Sequence, residues 1–224
     1  MPAFLQPKAP FAADAIVVGD PGRALLLAQE LLEQPKMCNH ARGLWGYSGT
    51  TAGGRELTIQ STGVGAPSAA AVLADLAELG VRRAIRIGTA TGLDGGSRPG
   101  DLLLVAEAEA TEGSAAAFGM RGGEAVTADA ELLERLSAEL AEEARIARIV
   151  SVDTVPGATT PGGTGAVAAD MQTVAILARG RALGMATAAI VAVVETPGAA
   201  SLDNEALEEV AKRAGWAAKA ALSP

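Results

Sequence analysis

The 224-residue chain has few of the residues that carry metal, redox or base-stacking chemistry: one Cys, one His, one Tyr, two Trp and three Phe. One Cys excludes an internal disulfide and a Cys-based zinc site, and one His leaves no His cluster, so we expect no metal. The lone histidine, His40, is the single candidate base for a Ser-His or Cys-His nucleophilic pair. Aromatic residues at 3% argue against single-stranded nucleic-acid binding, which uses aromatic rings to stack bases.

Positive charge is also scarce, because the net charge is −8 and the sequence pI is about 4.8. An acidic chain repels nucleic acid and anionic membranes as a whole, although local arginines can still bind a small anion. No basic region followed by a long apolar run starts the chain, and the strongest apolar run, 188–194, is too short to cross a membrane. We therefore expect no nucleic-acid partner, no membrane partner and a cytoplasmic location.

Apolar bursts alternate with amphipathic stretches along the chain. This pattern predicts strands at 15–18, 57–61, 84–87, 102–105, 149–152 and 186–194, and helices at 22–33, 68–79, 128–144, 167–183 and 202–221. The Gly-rich stretches 112–123 and 156–165 are predicted loops. The strand-helix rhythm predicts an α/β fold, a single α/β/α layered domain over 1–224 with a central mixed, largely parallel sheet.

The segment Val18-Gly19-Asp20-Pro21-Gly22-Arg23 follows the first predicted strand and opens a helix. Glycines at such a turn expose backbone N–H groups to an anion. Arg23 falls in the first helical turn, where a cation opposes the helix dipole unless an anion is bound beside it. The alternative is a surface turn with a solvated arginine.

Arg86 lies inside the otherwise apolar strand predicted at 84–87. A charge buried in a strand is costly unless it meets a carboxylate or a bound anion. Open α/β sheets bind ligands at the carboxyl ends of their strands, and Thr89 with the neighbouring amides could complete an anion cradle there. The alternative is a structural salt bridge.

Two further segments, 39–50 and 61–68, contain glycines near predicted strands. The second is not a dinucleotide fingerprint, because Ser68 stands where the third glycine belongs and no acidic residue follows at the required spacing. No Walker A lysine pattern occurs in the chain. The first is an irregular segment that leads into a strand and contains Arg42.

In their order and spacing, these four segments resemble the nucleoside phosphorylase family that includes hexameric purine nucleoside phosphorylases and uridine phosphorylases. The resemblance implies that one subunit binds phosphate through Gly19, Arg23, Arg86 and Thr89. It also implies that Arg42 of a neighbouring subunit reaches the same phosphate. A dimer would be the minimal active unit and a hexamer, a trimer of dimers, the implied assembly. Family members cleave nucleosides with phosphate, so inorganic phosphate would be a co-substrate and no cofactor is expected.

The resemblance extends to the nucleoside half of the site. Asp170-Met171-Gln172 falls where the family has its ribose-binding Glu-Met-Glu, which implies ribose binding by Met171 and Gln172. By the same resemblance, Val155 and Glu195 fall at base-binding positions, and Glu195 could protonate a leaving base. The resemblance thus implies that Glu195 and Arg86 are the catalytic residues. The alternative for Glu195 is a surface residue before a Pro-Gly turn.

The nucleoside half also departs from the family pattern. Gln172 replaces a glutamate, the N-terminal ribose-binding histidine has no counterpart, and 156–165 lacks the Gln and Arg of the uridine enzymes. Three interpretations follow: a nucleoside phosphorylase for a purine nucleoside or uridine, an N-glycosidase that uses water, and a catalytically silent nucleoside- or anion-binding protein. The three-arginine phosphate set argues against the second, because a hydrolase does not need it.

Overall fold

The computed structural model describes residues 2–93, 95–111, 113–156 and 165–223. Its strands are β1 (Asp14–Val18), β2 (Glu33–Asn39), β3 (Gly46–Thr50), β4 (Glu56–Ser61), β5 (Arg83–Gly92), β6 (Leu102–Ala110), β7 (Ala125–Thr127), β8 (Ala144–Ser151), β9 (Ala168–Asp170) and β10 (Ala186–Glu195). Its α-helices are α1 (Pro21–Leu31), α2 (Gly65–Glu78), α3 (Ala130–Leu140), α4 (Thr173–Ala182) and α5 (Asn204–Ala221). Short 3-10 turns cover Ala41–Gly43, Ser114–Phe118 and Ala141–Glu143.

The strands form one sheet in the order β10-β6-β8-β9-β5-β1-β4-β3-β2, with β7 paired to β6 and β10 also paired to β5. Strand β1 is parallel to β4 and β5, and β5 is parallel to β10. Strand β8 is parallel to β6 and β9, and antiparallel pairs, such as β2 with β3 and β3 with β4, complete the sheet. The predicted α/β fold with a central mixed sheet is confirmed; the extent of the domain, 1–224, stays a prediction.

Strand β1 shows why the sheet lies between two helical layers. All five of its residues are buried, as expected for a central parallel strand covered on both faces. Ile16 and Val18 belong to the core that contains residues of α1, α3 and α5, whereas Ala15 and Val17 belong to the core that contains residues of α2. Because side chains alternate along a strand, β1 contributes buried residues to the cores on both faces of the sheet.

The prediction of one helix over 167–183 was wrong in its first part, where residues 168–170 form β9. The segment Ala168-Ala169-Asp170 pairs with both β5 and β8, so its backbone bonds are taken by the sheet. Helix α4 begins only at Thr173, whose N–H donates to the Asp170 carboxylate at 3.0 Å. Tertiary pairing therefore overrides the helical preference of the alanines.

Two other differences concern the first half of the chain. The helix predicted over 22–33 ends at Leu31, and β2 begins at Glu33. Strand β5 is ten residues long, against the four predicted, and its extra length carries residues 88–92 towards the candidate site. In the described ranges, no helix is both long and apolar enough to span a membrane.

Candidate active site

A cavity of about 430 Å³ opens at the carboxyl ends of the parallel strands β1, β5 and β10. This volume falls in the range of small-molecule sites, about 300–1,000 Å³, and the carboxyl ends of such strands are where open α/β sheets bind ligands. The lining comes from the loop after β1, the turn before α2, the second half of β5, the segment from β9 into α4, the end of β10, and Val155 with Pro156.

The cavity brings together eight of the nine residues singled out in the sequence: Gly19, Arg23, Arg86, Thr89, Val155, Met171, Gln172 and Glu195. Arg42 lies outside it, in the 3-10 turn Ala41–Gly43 with a backbone φ of 59°. The Arg42 side chain is exposed, and its guanidinium lies 5.1 Å from the centre of the Phe4 ring. That outward position agrees with a role in a neighbouring subunit, which stays a prediction.

Arg86 is 4% exposed and donates three hydrogen bonds to the protein. Its Nε donates to Thr173 Oγ1 at 3.1 Å, Nη1 to Gln172 Oε1 at 2.9 Å, and Nη2 to Asp170 Oδ2 at 2.8 Å. A guanidinium has five N–H donors, so two remain for a ligand. The structural salt bridge is therefore present, and Arg86 also lines the cavity.

The strand itself makes room for this arginine at Gly88. Residues two apart share one face of a strand, so Arg86 and Gly88 are neighbours on that face. A Cβ built on Gly88 would lie 2.4 Å from Arg86 Nη2 and 2.6 Å from its Cζ. The guanidinium therefore lies across Gly88, and a side chain there would displace it.

Asp170 is the buried counter-charge of Arg86, with a fully buried side chain. Its Oδ1 accepts from Ser151 Oγ at 2.5 Å, and its Oδ2 accepts from Thr173 Oγ1 at 2.6 Å as well as from Arg86. These donors offset the cost of burying the carboxylate. Asp170 thus holds the guanidinium of Arg86 in place.

Gln172 forms hydrogen bonds within the protein through both atoms of its amide. Oε1 accepts from Arg86 and from Thr62 Oγ1, at 2.9 and 3.1 Å. Nε2 donates to the carbonyls of Gly63 and Gly65, at 2.7 and 3.2 Å. The side chain therefore joins β5 to the turn before α2, and its predicted role in ribose binding stays a prediction.

Arg23 lies in the first turn of α1. Asp20 caps this helix, because its Oδ1 accepts a hydrogen bond from the backbone N–H of Arg23 at 2.7 Å. Within the described residues, its guanidinium makes no hydrogen bond or ion pair. Burial lowers the pKa of Arg23 from its ordinary value; the negative charge of Asp20 opposes that shift and the positive charge of Arg86 adds to it. An anion between the two arginines would relieve both the burial and the repulsion.

At the end of β10, Glu195 accepts a hydrogen bond from Thr91 Oγ1 at 2.9 Å. A register shift between Val193 and Glu195 marks a bulge there, and bulges re-aim side chains near functional sites. The sequence interpretation missed Thr91, although Thr91 lies two residues after Thr89 on β5 and so belongs to the same face of the strand. Glu195 is partly exposed and reaches the cavity from the strand next to β5.

The rim of the cavity is apolar. Val64, before α2, is 81% exposed, and Val155 is 80% exposed. Val155 thus sits at the rim, and its predicted contact with a base stays a prediction. Residues 157–164 of the predicted loop 156–165 lie outside the described residues.

Three supporting residues of the site carried no signal of their own in the sequence: Ser151, Thr62 and Thr173. Ser151 donates to Asp170 and accepts the N–H of Val174 at 3.0 Å, so it holds the start of α4. Single Ser and Thr residues are common at turns and helix starts, and only contacts in the folded chain, with Asp170 for Ser151 and Thr173 and with Gln172 for Thr62, identify these.

The comparisons with known proteins agree with this architecture. The model of the phosphorylase superfamily matches residues 14–223, so the chain belongs to that family. Among solved structures, purine nucleoside phosphorylase of Toxoplasma gondii, in complex with immucillin-H, has a TM-score of 0.82 at 22% identity and covers 94% of this chain and 91% of that chain. Uridine phosphorylase of Vibrio fischeri has a TM-score of 0.83 at 24% identity, with 95% and 92% covered. These structures share the fold of this chain.

The curated relatives are DeoD-type purine nucleoside phosphorylases. One from Clostridium perfringens is 38% identical over 94 residues, which are 42% of this chain and 40% of the relative. Another, from Caldanaerobacter subterraneus, is 32% identical over 148 residues, which are 64% and 63%. The chain therefore spans about two fifths to under two thirds of the length of these relatives.

Proposed function

We propose that this protein cleaves the N-glycosidic bond of a purine nucleoside or uridine with inorganic phosphate, giving the free base and a pentose 1-phosphate. The observation that carries the proposal is the convergence of Arg23 and Arg86 on a nucleoside-sized cavity that also contains Glu195. Two guanidinium groups suit a multi-oxygen anion, because charge-assisted bonds to phosphate are strong and directional. The curated relatives, named as purine nucleoside phosphorylases, support the reaction class.

In the proposed reaction, phosphate binds first between Arg23 and the two unused N–H groups of Arg86, with Gly19 and Thr89 beside it. A phosphate oxygen attacks C1′ of the sugar while the bond from C1′ to the base nitrogen breaks. The electron pair of that bond goes to the base, and Glu195, as a carboxylic acid, supplies the proton to it. No cofactor takes part.

Most of the rate enhancement in this scheme comes from position and charge. The transition state places positive charge on the sugar ring, and the bound phosphate dianion lies next to it. The arginines hold that dianion in the direction of attack, which removes the entropy cost of bringing two reactants together. The scheme needs neither a Cys nor a His nucleophile.

The assembly is also part of the proposal. The exposed guanidinium of Arg42 would reach the phosphate of a neighbouring subunit, so a dimer is the minimal active unit and a hexamer the larger assembly. A cytoplasmic location is proposed with it.

A second candidate is a protein that binds the anion and the nucleoside without cleaving the bond. Gln172 favours it, because its amide already bonds to Arg86 and to the carbonyls of Gly63 and Gly65, and it carries no charge with which to bind a sugar hydroxyl strongly. Loss of a charge-assisted bond to the sugar costs about 1.5–3 kcal/mol. Such a loss would slow the reaction without abolishing the anion site.

The proposal is tested by incubating the protein with a panel of purine and pyrimidine nucleosides, with and without phosphate. Chromatography measures the free base released. We expect release from at least one nucleoside that requires phosphate, and a large loss of rate in Glu195→Gln for a purine substrate. Release that does not need phosphate would instead indicate hydrolysis. No release from any nucleoside, with thermal stabilisation by phosphate retained, would favour the second candidate.

A further inference from the structure

The bulge at the end of β10 places Glu195 on the cavity face of the sheet. Along β10, Val193 is paired with Ala90 of β5, and the next pair joins Glu195 to Thr91. Val194 is therefore the extra residue of the bulge, and it shifts the alternation of side chains along β10 by one position. Paired residues of neighbouring strands point to the same face, so Glu195 shares the face of Thr91, and both line the cavity.

Thr91 is held more firmly than Glu195. Its backbone is paired with β10 on one side and, through Ala169, with β9 on the other. Its side chain is β-branched, which leaves it few rotamers, whereas a glutamate side chain has three rotatable bonds to fix. The next residue, Gly92, packs closely against the segment that follows Glu195, because a Cβ on Gly92 would lie 2.7 Å from Thr196 Cγ2. Thr91 is thus the fixed partner and Glu195 the oriented one.

The hydrogen bond between these two residues uses one oxygen of the carboxyl group. Thr91 Oγ1 donates to Glu195 Oε1 at 2.9 Å, and no donor among the described residues bonds to Oε2. A carboxylic acid carries its proton on one oxygen, and the other oxygen only accepts. Because Oε1 accepts from Thr91, the proton of the acid belongs on Oε2.

We propose that Thr91 is a positioning residue for Glu195, whose Oε1 it holds so that the Oε2 proton passes to a leaving purine base. This proposal rests on the proposed function. When the bond from C1′ to the base breaks, its electron pair goes to the base, and the Oε2 proton moves to a ring nitrogen of the base. Glu195 is left as a carboxylate, and Thr91 keeps its own proton.

The bond from Thr91 strengthens during this step, because its acceptor gains a negative charge as the proton leaves. An interaction that is stronger in the transition state than in the bound substrate raises kcat and leaves KM nearly unchanged. Thr91→Val keeps the branched shape and loses the hydroxyl, so we expect kcat for inosine to fall at least about tenfold and KM to change less than about threefold. Thr91→Ser restores the hydroxyl and should recover kcat to within about threefold of wild type.

A purine nucleoside methylated on N7 separates proton transfer from the other steps. Its base is already cationic, so it departs as a neutral molecule and needs no acid. For 7-methylinosine we expect Thr91→Val to keep kcat within about twofold of wild type. If Thr91 were merely structural, both substrates would slow alike, and that result would overturn the proposal. An unchanged kcat for inosine in Thr91→Val would also contradict it.

Thr58→Val is the matched control. Thr58 is a fully buried threonine of β4 outside the cavity lining, and its Oγ1 accepts the N–H of Ala12 at 2.8 Å. The chemical change is the same, so this variant should lower thermal stability and leave the ratio of the rates for inosine and 7-methylinosine as in wild type. A shift of that ratio as large as in Thr91→Val would refute a specific role of Thr91.

Calorimetric titration with hypoxanthine keeps this test separate from the proposed function. The free base carries an N–H where the proton arrives, and the Glu195 carboxylate accepts it in the orientation that Thr91 sets. We expect Thr91→Val to bind hypoxanthine about three- to tenfold more weakly than wild type, and Thr91→Ser to bind it as wild type does. If the wild-type protein cleaves no nucleoside, the proposed function fails and this titration still decides the role of Thr91. Equal affinities of Thr91→Val and wild type, or a wild-type protein that does not bind hypoxanthine, would overturn that role.

Discussion

Arg86 both balances a buried carboxylate and lines the cavity, and these two roles can be separated by mutation. Its salt bridge to Asp170 is 2.8 Å long, with both side chains at most 5% exposed. Two of its five N–H groups have no partner among the described residues. A single truncation therefore removes a binding group and leaves an uncompensated buried charge.

Arg86→Ala is expected to abolish phosphate binding and to lower the free energy of unfolding by about 3–5 kcal/mol, the usual cost of breaking a buried pair. Adding Asp170→Asn should recover part of the stability, because the orphaned charge is gone, but none of the phosphate affinity. Calorimetric titration with phosphate and urea unfolding measure the two effects. Phosphate affinity at the wild-type level in Arg86→Ala would refute the site assignment.

Cys38 offers a test of burial at β2. Burial raises the pKa of this thiol from 9.0 to about 11, so at pH 8 about one thiol in a thousand is the reactive thiolate. We expect native protein to react slowly with an aromatic disulfide reagent at pH 8 and rapidly in urea. Fast, stoichiometric labelling of the native protein would contradict the burial.

The raised pKa of Cys38 also predicts that the free energy of unfolding falls as the pH becomes alkaline. The unfolded thiol loses its proton near pH 9, before the folded thiol does near pH 11. The contribution of Cys38 is therefore complete below pH 9 and is lost as the pH rises from 9 to 11. Cys38→Ala, which removes the titration, should make unfolding by urea less dependent on pH in that window.

In strand β5, local sequence determines one half of the element and tertiary contacts determine the other. Apart from Arg86, residues 84–87 are apolar, and they predict the first half of the strand, because a buried parallel strand is apolar on both faces. Its second half, residues 88–92, has Gly, Thr and Ala in a mixture typical of a turn, and it is a strand only because β10 and β9 pair with it. The helix predicted over 167–183 failed at β9 for the same reason.

Gly88→Ala tests the close approach of Arg86 to this strand. The new methyl group would overlap the guanidinium, so Arg86 must leave its bonds to Asp170 and Gln172. We expect at least about tenfold weaker phosphate binding together with lower thermal stability. Gly53→Ala is the control, because its nearest neighbour would lie 3.9 Å away; equal effects of the two variants would refute the account.

The candidate site was predictable to the extent that charge and glycine stand out against an apolar background. Arg23 stands out as a cation in the first turn of a helix and Arg86 as a cation inside an apolar strand, and both line the cavity. The bonds of Gln172 were not predictable, since a side-chain amide fits a surface, a core or a ligand equally well. Only the carbonyls of Gly63 and Gly65 show which of these applies.

For the whole molecule, the acidic composition and the anion site are compatible because the arginines are concentrated locally. A net charge of −8 governs long-range repulsion, which salt screens within about 10 Å. Inside the cavity, the nearby guanidinium groups dominate. The remaining expected cation, Arg42, is exposed and lies outside the cavity, so in the proposed assembly it would come from a second copy of the chain.

Mixed oligomers test that requirement. Arg42→Ala and Arg86→Ala subunits should each be inactive alone, because each lacks one cation of every site. In a symmetric dimer, random mixing restores one complete site in half of the dimers, so activity should return to about a quarter of the wild-type value. Absence of any recovery, with exchange of subunits shown by mass, would contradict a shared site.

The most direct test of the central claim is phosphorus NMR of the protein with a nucleoside and inorganic phosphate. The account predicts that the phosphate signal is converted into that of a pentose 1-phosphate, in step with the free base and with no conversion in Arg86→Ala. Base released while the phosphate signal stays unchanged would contradict it.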